Sequence, residues 1–218
     1  MSIAVLILGE SGTGKTCSIR HFDPAQTLLI QPVRKPLPFR SAQWREGKGG
    51  NIFVSPDAAR IIDVMQRAPH NIIIIDDWQY ILASQYMSRR NERGFDKFTD
   101  IGGAGWDIAE AARNLPNHKR VYVLSHTATD AMGNVRIKTI GKMLDDAIVV
   151  EGLFTIVLRT HVDGASGRYT FLTQNNGHDT VKSPIGMFDA LEIDNDLAAV
   201  DTVICDYYGL SSTQTTQE

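Results

Sequence analysis

The stretch that decides the fold is residues 3–16, IAVLILGESGTGKT, which joins a continuous apolar run to a glycine-rich loop. An uninterrupted run such as residues 3–8 is typical of a strand buried on both faces of a parallel sheet. Residues 9–16 match the pattern G-x-x-x-x-G-K-[ST] at every fixed position, and residues 17–22 are compatible with a helix. A strand, this loop and a helix in that order predict a phosphate-binding loop.

The residue types of this loop suit a nucleotide. Glycines let the backbone curl so that its N–H groups point at phosphate, and a helix N-terminus adds partial positive charge. A lysine at position 15 can reach the β- and γ-phosphates, and a hydroxyl at position 16 can ligate Mg²⁺. We therefore predict ATP and Mg²⁺ as cofactors, with the nucleotide bound by Gly9, Glu10, Ser11, Gly12, Thr13, Gly14, Lys15, Thr16 and Cys17.

Two later strands are expected to end in polar residues at the same edge of the sheet. Residues 71–77, NIIIIDD, predict a Walker B strand that presents Asp76 to Mg²⁺ together with Thr16. Asp77 either positions or deprotonates the attacking water, or it caps the next helix. Residues 121–126, VYVLSH, predict a strand whose end offers Ser125 or His126 as a sensor that hydrogen-bonds the γ-phosphate. Lys15, Asp77 and His126 are thus candidate catalytic residues.

The rest of the chain alternates between strand and helix signals, which indicates an α/β fold with a mostly parallel sheet flanked by helices. Further strands are predicted over 27–30 and 51–54, and helices over 58–67, 79–90 and 106–115. A β-hairpin extension is expected from 154–160 and 168–173, joined by an Asp-Gly turn. A last helix over 197–207, capped by Asp194 or Asn195, completes one domain over 1–210. Residues 211–218 lack apolar side chains and are predicted to be a disordered tail.

Composition excludes several classes of protein. The 218 residues are 43% hydrophobic and 22% charged, which is unlike a disordered, collagenous or coiled-coil chain. A net charge of −3 and a pI of about 6.1 exclude a strongly basic nucleic-acid protein, although not a local basic patch. No apolar run approaches the roughly 20 residues of a membrane span, so no membrane partner is expected. Neither a signal peptide nor metal-ligand spacing of the two cysteines is found, which favours the cytoplasm.

The combined motifs resemble phage-encoded RecA-like ATPases, a group that includes single-strand-annealing recombinases. The resemblance spans about residues 3–209 and is carried by the glycine-rich loop and Walker B strand, with four further short motifs. These are KPLPF (35–39), the Ser-His pair at 125–126, KTIGK (138–142) and KSPIGMF (182–188). It implies a RecA-like core, ATP hydrolysis, single-stranded DNA, self-association, and a role in recombination or replication inside a bacterial host. RecA-like proteins carry a catalytic Glu on the strand before Walker B, and Asp77 is the substitute here.

In a RecA-like sheet, the segments after the Walker B helix and after the sensor strand can face DNA. Both segments carry cations that can neutralise phosphates, and the first also carries aromatic residues that can stack on bases. The alternative is a solvated helix end and a mobile loop. The candidate DNA-binding residues are Arg89, Arg90, Arg93 and Lys97 in the first segment, and Arg136, Lys138 and Lys142 in the second.

Two other positions have open interpretations. RecA-like ATPases often complete each site with a cation from a neighbouring subunit, which makes Lys182 a catalytic candidate in trans and Arg159 a weaker one. The alternative for Lys182 is an ordinary surface lysine. Residues 35–39 are stiffened by two prolines, and they cover the nucleotide, meet a neighbouring subunit or form a rigid connector.

The sequence leaves two other functions open. A nucleotide-controlled helicase loader would use ATP to grip a replication or recombination protein. A nucleotide kinase is the weakest alternative, because kinases of this size carry an arginine-rich lid over the donor phosphates. Here the arginines follow Walker B instead.

Overall fold

The computed structural model of the protein describes residues 1–140 and 149–210, which form an α/β fold. The strands are β1 (Ile3–Leu8), β2 (Thr27–Gln31), β3 (Ile52–Val54), β4 (Ile72–Ile75), β5 (Arg120–Ser125), β6 (Thr127–Thr129), β7 (Val135–Ile137), β8 (Ile156–Val162), β9 (Tyr169–Leu172) and β10 (Glu192–Asp194). The helices are α1 (Ala58–Arg67), α2 (Gln79–Ser88), α3 (Asp96–Arg113) and α4 (Leu197–Tyr208). Short 3₁₀ helices span Thr16–Ile19 and Val150–Leu153.

The main sheet has eight strands in the order β10-β9-β8-β1-β5-β4-β2-β3. The strands from β8 to β3 are parallel, whereas β9 and β10 add antiparallel pairs at one edge. The predicted α/β class with a mostly parallel sheet is therefore confirmed, as is the hairpin of β8 and β9. Strand β5 lies between β1 and β4, so the carboxyl ends of these three strands meet at one edge.

The apolar runs form strands because both faces of the sheet are covered. Alternate residues of β1 point to opposite faces: Leu6 and Leu8 pack with the cluster that contains α1, α2 and α3, and Val5 and Ile7 pack with the cluster that contains α4. All four of these side chains are fully buried. A strand enclosed in this way has no solvent-facing positions, which explains the absence of polar residues within it.

The predicted helix over 17–22 is wrong in type and length. A 3₁₀ helix of four residues, Thr16–Ile19, follows the glycine-rich loop instead. The Ser18 hydroxyl donates to the Lys15 carbonyl, and such a local bond competes with the helical ladder. Pro24 also disfavours helical backbone at Asp23, so the chain turns away early. The dipole expected from a full helix is therefore reduced to that of a single short turn.

Other helix boundaries also differ from the predictions. Helix α2 ends two residues early, at Ser88, and α3 begins at Asp96, ten residues before the predicted start. Glycines within α3 lower its helix propensity, yet Gly105 lets the helix approach α2, since a Cβ there would lie 2.7 Å from Cζ2 of Trp78. Neither Asp194 nor Asn195 caps α4. The cap is Asp196, whose Oδ1 accepts hydrogen bonds from the backbone of the first turn.

Two predictions fall outside the described residues: the disordered tail over 211–218 and the placement of Lys142. Within residues 1–140 and 149–210, no helix is both long and apolar enough to cross a membrane.

Candidate nucleotide-binding site

The glycine-rich loop (residues 9–16) forms one wall of a cleft of about 830 Å³ at the carboxyl edge of the sheet. The loop leaves β1 at Leu8, which is in register with Ser125 at the end of β5. Chain segments from six parts of the sequence meet at this cleft. At the end nearest the strand termini, its lining includes Lys15, Thr16, Lys35, Asp77 and His126.

The backbone of the loop depends on glycine at specific positions. Gly12 and Gly14 have φ values of 80° and 95°, in the left-handed region that favours glycine. Gly9 is required for a different reason, because a Cβ there would lie 1.9 Å from Oγ1 of Thr160 on β8. The Thr160 hydroxyl in turn hydrogen-bonds the Thr13 hydroxyl at 2.6 Å. The loop is thus fixed against β8 as well as against β1.

The Lys15 side chain folds back onto the carbonyl groups of the glycine-rich loop. Its Nζ donates to the carbonyls of Gly9 at 2.8 Å and Glu10 at 2.7 Å, and the residue is only 5% exposed. Burial lowers the pKa of Lys15 to about 8, while the nearby Asp76 carboxylate acts in the opposite direction. The ammonium group is therefore mostly protonated at neutral pH, but it loses its proton at a lower pH than a solvated lysine does.

Thr16 and Asp76 meet as the sequence predicts. The Thr16 hydroxyl donates to Oδ1 of Asp76 at 2.9 Å. The other oxygen, Oδ2, is buried and accepts no hydrogen bond from the described residues, and burial raises the pKa of this carboxyl. A buried carboxylate oxygen that accepts no hydrogen bond from these residues, beside a hydroxyl and 4.0 Å from the Lys35 ammonium, fits Mg²⁺, which uses one or two protein oxygens together with substrate phosphates. No group of three or more His, Cys, Asp or Glu side chains suited to a metal occurs among the described residues.

Asp77 faces the cleft and does not cap α2. The N-cap position belongs to Trp78, which makes no side-chain capping bond. The Asp77 carboxylate contacts Lys35 through Oδ2 and lies 3.3 Å from Nε2 of His126 through Oδ1. Among the described residues it is the single non-glycine with a positive φ, 67°, a conformation that costs on the order of 1–3 kcal/mol. The capping alternative is therefore wrong, and the strained backbone aims the carboxylate into the site.

Of the two candidate sensors, His126 lines the cleft. Ser125 is fully buried, and its hydroxyl donates to the His126 carbonyl. Burial, followed by the positive charges of Lys15 and Lys35, lowers the pKa of His126 to about 4. The imidazole is thus neutral at neutral pH.

Residues 35–39 cover part of the cleft. Lys35 and Pro38 both line it, and the Lys35 carbonyl accepts a hydrogen bond from Nε2 of Gln31 at the end of β2. The segment therefore lies over the cleft, and its role toward a nucleotide stays a prediction. The sequence could not single out Lys35, because its place beside Asp77 depends on the pairing of β2 with β4.

The far end of the cleft was not predicted at all. Tyr169 and Asn195 pack against Gly14, where a Cβ would lie 3.0 Å from each of them. Nδ1 of His21 lies 2.7 Å from Oδ2 of Asp196. Each of these contacts joins residues more than 140 positions apart in the chain. The sequence signalled this end only through residues 194–195, which were interpreted as a helix cap. The residues at this end are Arg20, His21, Tyr169, Asp194, Asn195 and Asp196.

Lys182 is not part of the cleft lining of its own chain. Its backbone pairs with Val157 on β8 through hydrogen bonds of 2.8 and 2.9 Å, and the residue is half-buried. Arg159, the weaker candidate, forms an ion pair with Asp179 at 3.3 Å. The role of Lys182 in a neighbouring subunit stays a prediction.

In the first candidate DNA segment, Arg89 and Lys97 already have partners within the protein. Arg89 pairs with Glu92 at 2.6 Å and with Asp100 at 2.9 Å. Lys97 is 8% exposed and donates to the Glu92 carbonyl. Arg90 and Arg93 are exposed. The structure therefore leaves these two arginines better placed than the other two cations for a contact with DNA.

The second candidate DNA segment is a small hairpin of β6 and β7 that follows His126 directly. Arg136 and Lys138 lie in and just after β7, and both are exposed. The backbone N–H of Lys138 donates to the His126 carbonyl at 2.8 Å. A single backbone hydrogen bond thus connects this hairpin to His126, which lines the cleft.

No family model matches this chain, and no curated protein matches it significantly. Function is therefore inferred from the geometry of the cleft. The cleft presents two ammonium groups, a hydroxyl beside a buried carboxylate whose second oxygen accepts no hydrogen bond from the described residues, a second carboxylate and a neutral imidazole. This set can bind phosphates, hold a divalent cation and accept a proton.

Proposed function

We propose that the protein is a Mg²⁺-dependent ATPase of the P-loop class with a RecA-like core. The observation that carries this proposal is the meeting of Lys15, Thr16, Asp77 and His126 in one cleft at the ends of β1, β4 and β5, with the buried Asp76 hydrogen-bonded to Thr16. Three separate sequence signals predicted these residues, and the folded chain brings them together. The position of β5 between β1 and β4 also supports the proposal, because it puts His126 between the loop and Asp77.

The proposed reaction is hydrolysis of ATP to ADP and phosphate. Lys15 would leave the carbonyls of Gly9 and Glu10 for the β- and γ-phosphates, and Thr16 and Asp76 would hold the Mg²⁺. When bound, Mg²⁺ neutralises charge that develops on the phosphates. Asp77 would take a proton from water as the water oxygen bonds to the γ-phosphorus. The bond from phosphorus to the β–γ bridging oxygen then breaks, and its electron pair stays on ADP.

The charge of Lys15 gives nucleotide binding a pH dependence. Because its pKa in the free protein is about 8 and phosphate binding needs the ammonium form, binding above pH 8 takes up a proton. We expect the association constant for ATP to fall by up to about tenfold per pH unit above pH 8. Titrations of a fluorescent nucleotide from pH 7 to 9.5 measure this slope. The Lys15→Arg variant, charged throughout, is the control with a flat profile, and an equally flat profile in the wild type would contradict the prediction.

We further propose that ATP controls binding to single-stranded DNA in recombination or replication, with self-association that aligns one basic patch per subunit. The exposed cations Arg90, Arg93, Arg136 and Lys138 support this, and the hairpin contact with His126 offers a route from DNA to the cleft. An acidic chain with net charge −3 gains local positive potential when such patches repeat along an assembly.

The decisive experiment measures the ATPase rate with and without single-stranded DNA. We expect stimulation in the wild type and its loss in the Arg136→Ala, Lys142→Ala double variant. The double variant should also flatten the slope of log binding constant against log salt by about 1.4, at roughly 0.7 per phosphate contact on a single strand. Arg67→Ala, an exposed α1 cation paired with Asp63, is the matched control and should change neither quantity. Absence of stimulation by any DNA would instead favour a partner-binding ATPase such as a helicase loader.

A further inference from the structure

Lys35 enters the cleft from residues 35–39, outside the glycine-rich loop and the Walker B strand. It lines the same cleft as Lys15 and His126. Its Nζ contacts Oδ2 of Asp77 and lies 4.0 Å from Oδ2 of Asp76. The two acids of the Walker B strand end are thus approached by a cation on the side where a γ-phosphate and its Mg²⁺ would lie.

The members of this cluster differ in their freedom to move. The Lys35 side chain is 38% exposed, whereas those of Asp76 and Asp77 are 0% and 4% exposed. A lysine head group on a flexible four-carbon stem can change partners without a change in the backbone, but the enclosed carboxylates cannot. Lys35 is therefore the mobile member of the cluster, and the acids are the fixed ones.

The backbone that carries Lys35 is anchored beside the glycine-rich loop. Pro36 and Pro38 each fix a φ angle, and Gln31 donates to the Lys35 carbonyl at 3.3 Å. The ring of Phe39 packs edge-on against Trp44, with ring centroids 6.3 Å apart. Because the backbone is held in place, the Lys35 ammonium can move only as far as its own side chain allows.

We propose that Lys35 is a second phosphate-binding cation, supplied in cis, which pairs with Asp77 until a γ-phosphate arrives and then transfers to it. This inference rests on the proposed ATPase function. A water that approaches Oδ2 of Asp77 must displace Lys35, so the carboxylate is blocked while the pair persists. A γ-phosphate carries more negative charge than one carboxylate and draws the ammonium away. ADP lacks that phosphate and leaves the pair closed.

The device couples substrate recognition to the proton acceptor. The same movement that places positive charge on the γ-phosphate exposes the Asp77 oxygen to the attacking water. It also gives the site an internal cation for the charge that many P-loop ATPases receive from a second subunit. Lys182, whose backbone is tied to Val157 and which is not among the residues that line the cleft, is not needed for this step within the chain.

The test compares Lys35→Ala and Lys35→Arg with the wild type in ADP binding, binding of a non-hydrolysable ATP analogue, and kcat. We expect Lys35→Ala to leave ADP affinity unchanged and to weaken the analogue about tenfold, the scale of one charge-assisted hydrogen bond. Its kcat should fall about 100-fold. Lys35→Arg keeps a cation beside Asp77, protects the fold and should recover part of both losses.

Two controls separate this role from simpler ones. Arg34→Ala removes the neighbouring cation, whose side chain is 74% exposed and pairs with Glu46, and should alter none of the three quantities. A mixture of Lys35→Ala and Lys15→Ala subunits tests the same-chain assignment, because Lys15→Ala subunits still offer an intact Lys35. The activity of the mixture should equal the sum of the two parts.

Distinct outcomes overturn the inference. A wild-type kcat in Lys35→Ala, or equal losses of ADP and analogue affinity, would refute the transfer of Lys35 to the γ-phosphate. If the mixed subunits are more active than the sum of the two parts, Lys35 acts on the site of a neighbouring subunit, and the assignment to the same chain is wrong. A wild-type chain that binds neither nucleotide would overturn the proposed ATPase function itself, and this inference with it.

Discussion

Replacement of Lys15 by alanine is expected to reduce ATP hydrolysis by about 10³-fold, the scale seen when phosphoryl transfer loses a cation aimed at the transferred group. Lys15 is 5% exposed and lies among the carbonyls of the glycine-rich loop, where solvent cannot replace its charge. Phosphate release under saturating ATP and Mg²⁺ measures the effect. Unchanged turnover in Lys15→Ala would refute the proposed site.

The chain offers a closely matched control for this variant. Lys119 is also buried, 4% exposed, and its Nζ also donates to two backbone carbonyls, those of Ala68 and His70. It lies just before β5, at the end of the sheet opposite the cleft, and Ala68 is the C-cap of α1. Lys119→Ala should therefore lower stability by a similar mechanism while the folded fraction keeps its turnover.

Replacement of Asp201 by alanine is expected to lower the free energy of unfolding by about 3–5 kcal/mol, because it leaves a buried charge without its partner. Asp201 on α4 receives two hydrogen bonds of 2.9 Å from the guanidinium of Arg120 and one of 2.6 Å from the Tyr122 hydroxyl. Both partners are on β5, at the centre of the sheet. Urea unfolding followed by circular dichroism measures the loss.

Asp206→Ala provides the comparison for this second prediction, since Asp206 lies on the same helix but is exposed. It should change the free energy of unfolding by no more than about 0.5 kcal/mol. Burial raises the pKa of Tyr122 well above its usual range, so its hydroxyl remains a donor at all pH values used for unfolding. A loss below about 1 kcal/mol in Asp201→Ala would contradict the prediction, because it would mean that Arg120 is not left as an unpaired buried charge.

The sequence predicted most of the regular structure where a local pattern determines it. The apolar runs that became β1 and β4 have no polar positions, so no register other than full burial suits them. Helix α1 matches its predicted bounds because one apolar stripe and the Asp57 cap agree. The order of the strands was not predictable in the same way, since it depends on contacts between runs more than 100 residues apart.

The errors have physical causes that lie outside the local pattern. The segment after Thr16 has helical composition, but the Ser18 hydroxyl and Pro24 end it after one turn. The start of α3 was missed because glycines have low helix propensity. In the folded chain, however, Gly105 packs against Trp78, where a larger residue would not fit. In the site, motif residues were found and Lys35 was not, because its partner Asp77 is supplied by another strand.

The pairing of β1 has a consequence for how the molecule matures. Its neighbours are β5 and β8, so Ile3 aligns with Arg120 and Val5 with Ile156. Contacts this distant in sequence close large loops and form late in folding. During synthesis the glycine-rich loop emerges before β5 and β8, and the lining of the cleft is complete only after Asp196 has been added. A nucleotide, if it binds as proposed, would then stabilise only chains that have folded through Asp196, and occupancy of the cleft would report on that stage of folding.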